Sequence, residues 1–156
     1  RAISAAKPKI GSYPFTTLTP NLGVVQTPWK DTFVVADIPG LIAGAHKGSG
    51  LGVRFLRHVE RTRVLLHLID ASRIDPEQPL EAYQTVNTEL SEFSAELTGK
   101  PQIIVLNKMD ISGADKNAAA FEACLSGQTV LCISALTGAG TDQLILNIAQ
   151  LLERAA

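Results

Sequence analysis

The chain has 156 residues, of which 46% are hydrophobic and 19% charged, with a formal charge of −1. That length is enough for one domain with a buried core, and that charge gives no bulk attraction to nucleic acid or to an anionic membrane. No apolar run is long enough to span a bilayer.

Residues 1–6 have the look of a helix end, stopped before Lys7-Pro8. Residues 9–21 are rich in Pro, Thr and Gly and are expected to form a loop. The patterns over 23–29 and 32–37 read as strands, with Pro28 near the turn between them. The glycine-rich stretch 40–52 is expected to be mobile, and 53–61 helical. Val64 to Asp70 (VLLHLID) reads as a buried strand, and 80–97 as a single amphipathic helix ended by Gly99-Lys100-Pro101. A strand over 103–106, a helix over 115–125, a strand over 129–133 and a helix over 142–154 complete the chain. The last helix carries Leu144, Ile145, Ile148, Leu151 and Leu152 on one face. Alternation of strands and helices in the second half implies parallel pairing in a doubly wound α/β sheet, and the short connection between the first two strands implies an antiparallel pair.

Three polar clusters each follow an apolar strand pattern: Asp37-Ile38-Pro39-Gly40, Asn107-Lys108-Met109-Asp110 and Ser134-Ala135. Open α/β sheets bind ligands at the carboxyl ends of their strands. An Asp carboxylate can accept from the adjacent N1–H and amino group of guanine, a donor pair that adenine lacks. Asp110 is thus the expected guanine-selecting residue. Asn107 can bridge the base and neighbouring loops, and the Lys108 stem can lie over the base plane. The Ala135 N–H is expected to meet the guanine carbonyl. Asp37 offers an outer-shell carboxylate for Mg²⁺, and Gly40 an N–H for a γ-phosphate. Alone, each cluster is also an ordinary strand-end turn; the order of all three, D-x-x-G then N-K-x-D then S-A, resembles a GTP-binding G domain of the Ras-like P-loop NTPase class.

A closer resemblance is to the Obg family of bacterial GTPases. It rests on AAKPKI at 5–10, YPFTTL at 13–18, PNLGVV at 20–25 and DIPGLIAGAHKGSGL at 37–51, continuing into GVRFLRH at 52–58. The resemblance implies that Thr17 is a switch threonine directly on Mg²⁺, with Asp37 reaching the ion through water. It also implies that Phe15, Thr16, Thr17, Leu18 and Thr19 border the nucleotide. Asp37, Ile38, Pro39 and Gly40, then Asn107, Lys108, Met109 and Asp110, then Ser134, Ala135 and Leu136 complete the GTP site. It further implies a GTPase with a switch role in large ribosomal subunit assembly and stress response; a monomer, a cytoplasmic setting and, because Leu41 follows D-x-x-G, slow hydrolysis are also expected. The ribosomal subunit or its RNA is the expected macromolecular partner. Cys124 and Cys132 could pair, but in an α/β nucleotide-binding pattern they are read as reduced thiols, Cys132 as a small core residue in its strand.

Two departures qualify that picture. Ala43 stands where the commonest family form has Glu. The G-x-x-x-x-G-K-[ST] phosphate loop, and the central strand that leads into it, do not occur within these residues. The stretch 44–52 does not replace it, because its lysine precedes the glycines and no Gly-Lys-Ser/Thr occurs. The segment by itself is therefore expected to be an incomplete catalyst, and the alternative is an interaction module that no longer hydrolyses nucleotide. A related protein that prefers ATP is a further alternative, opposed by Asp110.

No catalytic residue stands out. Leu41 follows D-x-x-G where Ras-like GTPases carry a water-orienting glutamine. His46 is read as a loop surface residue, His58 as helix surface and His67 as a satisfied core residue. Arg54, Arg57, His58 and Arg61 recur at helical spacing. That stripe is either a solvated face or a contact to ribosomal RNA or protein.

Overall fold

The computed structural model describes residues 2–4, 21–37, 59–125 and 127–155. The expected nucleotide-bordering loop 15–19, residues 38–40, the glycine-rich stretch and most of the 53–61 helix lie outside the described residues. The chain divides into two compact units, one holding 3–62 and 86–100 and the other 63–85 and 101–156.

In the first unit, β1 (Asn21–Gln26) and β2 (Thr32–Asp37) pair antiparallel, with Asn21 opposite Asp37 and Gln26 opposite Thr32. The strand expected over 23–29 is displaced. Thr27 N–H donates to Asp31 O at 2.8 Å and Lys30 N–H to Thr27 O at 3.0 Å, so Pro28 and Trp29 belong to the turn. Lys30 takes a left-handed φ of 71° there. In the same unit, Lys100 donates from Nζ to the carbonyls of Glu60 at 3.0 Å and Thr62 at 2.9 Å. Val59 and Glu60 are helical, and the lysine thus satisfies carbonyls where that helix ends.

The helix expected over 80–97 is two helices, α1 (Glu81–Phe93) and α2 (Ala95–Thr98). Ser94 breaks it by adopting an extended backbone and accepting from Glu96 N–H at 3.3 Å, so it caps a new start. Gly99 follows as the C-cap of α2.

The second unit is built on β3 (Leu65–Asp70), β4 (Gln102–Asn107) and β5 (Val130–Cys132), all parallel in that order. Parallel strands buried on both faces read as continuous apolar runs, and Ile103, Ile104, Val105 and Leu106 of β4 are all buried. α3 (Ala114–Cys124) lays Ala114, Ala118 and Phe121 against a cluster that includes Ile69, Ala71, Ile104 and Leu106. α4 (Thr141–Arg154) buries Leu144 and Ile148 from the expected apolar face, together with Thr141 and Ala149. No described helix is long and apolar enough to cross a membrane.

Cys132 departs from expectation. It ends the short strand β5, is exposed, and lies 3.6 Å from Glu122 Oε1. Partial desolvation on the side facing α3 and the Glu122 carboxylate together push its thiol pKa up.

His67 sits within the packed half as expected. Its ring stacks on Tyr83 at 5.2 Å, Tyr83 meets Phe121 edge-on at 6.0 Å, and Gln102 Nε2 lies 3.5 Å from its Nδ1. Burial lowers its pKa from 6.5 to about 4. The folded state therefore holds the neutral ring, while the unfolded chain takes up a proton as soon as pH drops below 6.5. Stability should fall as pH is lowered from 6.5 toward 4, by about 3 kcal/mol in all. Urea titrations across that range should show the slope, and His67→Phe, which keeps the stack on Tyr83, should flatten it.

Candidate functional site

The parallel register places Asp70 directly opposite Asn107, so β3 and β4 finish side by side. The chain then turns at Lys108, which takes a left-handed φ of 67°. Ile111 N–H closes this turn on Lys108 O at 3.0 Å. β5 ends beside it, because Ile133 N–H donates to Leu106 O at 2.8 Å and Met109 N–H to Ile133 O at 3.2 Å. The N-K-M-D and S-A segments are thereby stitched together through their backbones.

Side chains add a second set of links. Ser134, which is buried, donates from Oγ to Asp110 Oδ1 at 2.5 Å. Asn107 Oδ1 accepts from Ala135 N–H at 3.0 Å. Asn107 thus spans the two loops, and the N–H expected to meet a base carbonyl is paired with it. The Ser134 loop is itself closed: Ser134 N–H reaches Ala139 O and Gly138 N–H reaches Ser134 O, each at 2.9 Å. Thr137 N–H donates to Ser134 Oγ at 3.1 Å. Gly140 then starts α4 at a φ of 76°, pressed against Cys132 O.

Asp110, the expected guanine-selecting residue, is exposed rather than buried. Lys108 is also exposed, Met109 packs against the core cluster of α3, and Leu136 projects into solvent at 84% exposure. In the other unit Asp37 is the last residue of β2 and is exposed. Its carboxylate is a hard oxygen donor, a type that suits Mg²⁺, which is held through one or two carboxylates and hydroxyls alongside phosphate oxygens. Phe15 to Thr19 and Ile38 to Gly40 lie outside the described residues.

Two residues that the motifs did not single out join this cluster. Lys108 Nζ lies 2.7 Å from Asp70 Oδ2. Asp70 Oδ1 accepts from Ser72 N–H at 3.1 Å and from Ser72 Oγ at 2.6 Å. Burial alone pushes the Asp70 carboxyl up, but the Lys108 ammonium and the Ser72 hydrogen bonds outweigh it and hold the pKa below the usual value. The available signal was positional: an Asp closing an apolar run, VLLHLID, in a strand parallel to the one that ends in Asn107.

Comparison with known proteins identifies the family and the fold. Residues 1–108 match the family of 50S ribosome-binding GTPases. The chain is 56% identical over 153 residues to the GTPase Obg of Desulfatibacillum aliphaticivorans, covering 97% of this chain and 46% of that protein. It therefore spans less than half the length of that curated relative. Among solved structures, it is similar to the G domain of the T. maritima FeoB iron transporter, with a TM-score of 0.64 and 18% identity, covering 97% of this chain and 87% of that one. It is also similar to translation elongation factor SelB from Methanococcus maripaludis in complex with the GTP analogue GppNHp. That match has a TM-score of 0.62 and 18% identity, covering 92% of this chain and 30% of that one. These two likenesses establish the G-domain fold expected from the order of the motifs. The chain belongs to the 50S ribosome-binding GTPase family, and its curated relatives there are the Obg GTPases.

Proposed function

We propose that the chain is the G domain of a longer Obg-type protein that binds GTP and GDP, hydrolyses GTP slowly and acts as a switch on the large ribosomal subunit. The observation that carries this reading is the cluster of Asn107, Asp110, Ser134 and Ala135, joined by hydrogen bonds at the carboxyl ends of β4 and β5. Its acceptors match the donor edge of guanine. The description of the matched family supports the ribosomal partner. A role in subunit assembly and stress response, a cytoplasmic setting and a monomeric state complete the proposal.

The remaining assignments follow the motif positions. Thr17 is assigned to Mg²⁺ directly and Asp37 through water. Phe15, Thr16, Leu18 and Thr19 are assigned to the edge of the nucleotide, and Ile38, Pro39 and Gly40 to the γ-phosphate side. Mg²⁺, when bound, neutralises charge on the phosphates. The reaction is in-line attack of water on the γ-phosphate. Leu41 carries no group that can orient that water, so slow intrinsic hydrolysis is expected.

Thr17→Ala tests the switch in the full-length protein. It should spare GDP affinity and lower GTP affinity about tenfold, because the hydroxyl matters only while γ-phosphate and Mg²⁺ close the loop. Co-sedimentation with large ribosomal subunits should favour the GTP state of the wild type and lose that preference in the variant. Equal losses for GDP and GTP reject the switch role, and binding to the subunit in neither state rejects the ribosomal one.

A further inference from the structure

We propose that Asp70 is a positioning residue for nucleotide binding, holding the Lys108 side chain across the carboxyl ends of β3 and β4 so that its stem is already in place for a purine base. This rests on the guanine-site reading above and adds to it a residue outside the N-K-x-D and S-A segments.

The two oxygens of Asp70 have separate tasks. Oδ1 caps the turn that follows β3, accepting from the backbone N–H and the hydroxyl of Ser72. That fixes the carboxylate plane. Oδ2 then faces Lys108 Nζ at 2.7 Å, the distance of a charge-assisted hydrogen bond. Arg73 Nε lies farther away, 3.8 Å from the same oxygen, on a side chain that is 85% exposed.

Lys108 needs such a restraint. It adopts a left-handed φ without being glycine, a conformation that persists where its surroundings over-determine it. Its side chain is 49% exposed against 24% for Asp70, so the aspartate is the anchored member and the lysine the one that is held. A free lysine loses much rotamer freedom when a ligand covers it, and a restraint in the unliganded protein removes that cost beforehand. Because Asp70 is opposite Asn107 in the ladder, the ion pair crosses directly beside the residues assigned to the base. Asp70 has no contact to the ligand in this role and acts only through Lys108.

The test measures binding of N-methylanthraniloyl-GDP and its competition by GTP, with the full-length protein. Asp70→Asn keeps an oxygen for Ser72 but turns a donor toward the lysine. Asp70→Ser keeps a capping oxygen and has no second acceptor. Both should weaken GDP and GTP to the same degree, about tenfold, since the base contact is independent of the γ-phosphate. In the Lys108→Met background, either change at Asp70 should have less than about a twofold effect, because neighbours that act through one contact are not additive. Wild-type affinity in both Asp70 variants overturns the proposal. So does an undiminished loss in the Lys108→Met background, which makes Asp70 a purely structural residue. Asp110→Asn separates this from the site itself: unchanged GDP affinity there rejects the guanine site, whereas loss there with normal Asp70 variants rejects only the role of Asp70.

Discussion

Asp110→Asn in the full-length protein is expected to weaken GDP binding by about 100-fold and to raise affinity for xanthosine diphosphate. Asp110 Oδ1 already accepts from the Ser134 hydroxyl at 2.5 Å. An asparagine in its place can keep that bond with its own Oδ1, which leaves Nδ2 directed to the position of the base substituent. The carboxylate presents only acceptors to the N1–H and amino group of guanine. The amide presents a donor to the amino group, so one charge-assisted hydrogen bond is lost and two donors are opposed. A hydrogen bond to a charged group is worth about 1.5–3 kcal/mol, and about 2.7 kcal/mol is a factor of 100. Xanthine has a carbonyl where guanine has the amino group, so the new donor finds an acceptor. Competition against a fluorescent GDP measures both arms. Unaltered preference for guanine places Asp110 outside the base contact.

Gly140→Ala is expected to be the most damaging methyl addition among Gly99, Gly113, Gly127, Gly138 and Gly140. A Cβ at this position would lie 2.6 Å from Cys132 O and 3.1 Å from Ile133 Cγ2, and the residue sits at a φ of 76°. The nearest atom is a backbone carbonyl at the end of β5, which cannot rotate away. Left-handed strain of about 1–2 kcal/mol adds to overpacking of about 1–3 kcal/mol, for a loss of about 2–5 kcal/mol. Gly113 is the control. Its φ is 87°, but nothing lies within 4 Å of its Cβ position. Gly113→Ala should therefore carry only the strain, about 1–2 kcal/mol. Urea unfolding of the two variants should show the difference. Because the Ser134 loop closes immediately before Gly140, the Gly140 variant should lose nucleotide affinity as well.

The clusters at the strand ends were legible because each stands where an apolar run stops. The continuous burial of Ile103 to Leu106 is what made the turn at Asn107 readable. Ser94 was less so. Local pattern carries the apolar face of a helix straight through a serine, and only its extended backbone and bond to Glu96 N–H show that it caps a new turn. The shift of β1 has a similar cause, since the Thr27–Asp31 turn is chosen by backbone bonds that β propensity ignores. Cys132 was misread because apolar character in a short terminal strand does not say whether a neighbour covers it. The pairing of Asp70 with Lys108 depends on the register of two strands separated by two helices, and no spacing rule encodes that register. The exposure of Asp110 is likewise invisible to a motif, which fixes position along the chain and not burial.

The most direct test of the guanine-site reading is nucleotide competition on the full-length protein. A bound fluorescent GDP should be displaced by GDP or GTP at concentrations at least about 1,000-fold below those required for ADP or ATP, as expected of a site whose acceptors meet donors that adenine lacks. Displacement by adenine and guanine nucleotides at similar concentrations would contradict it.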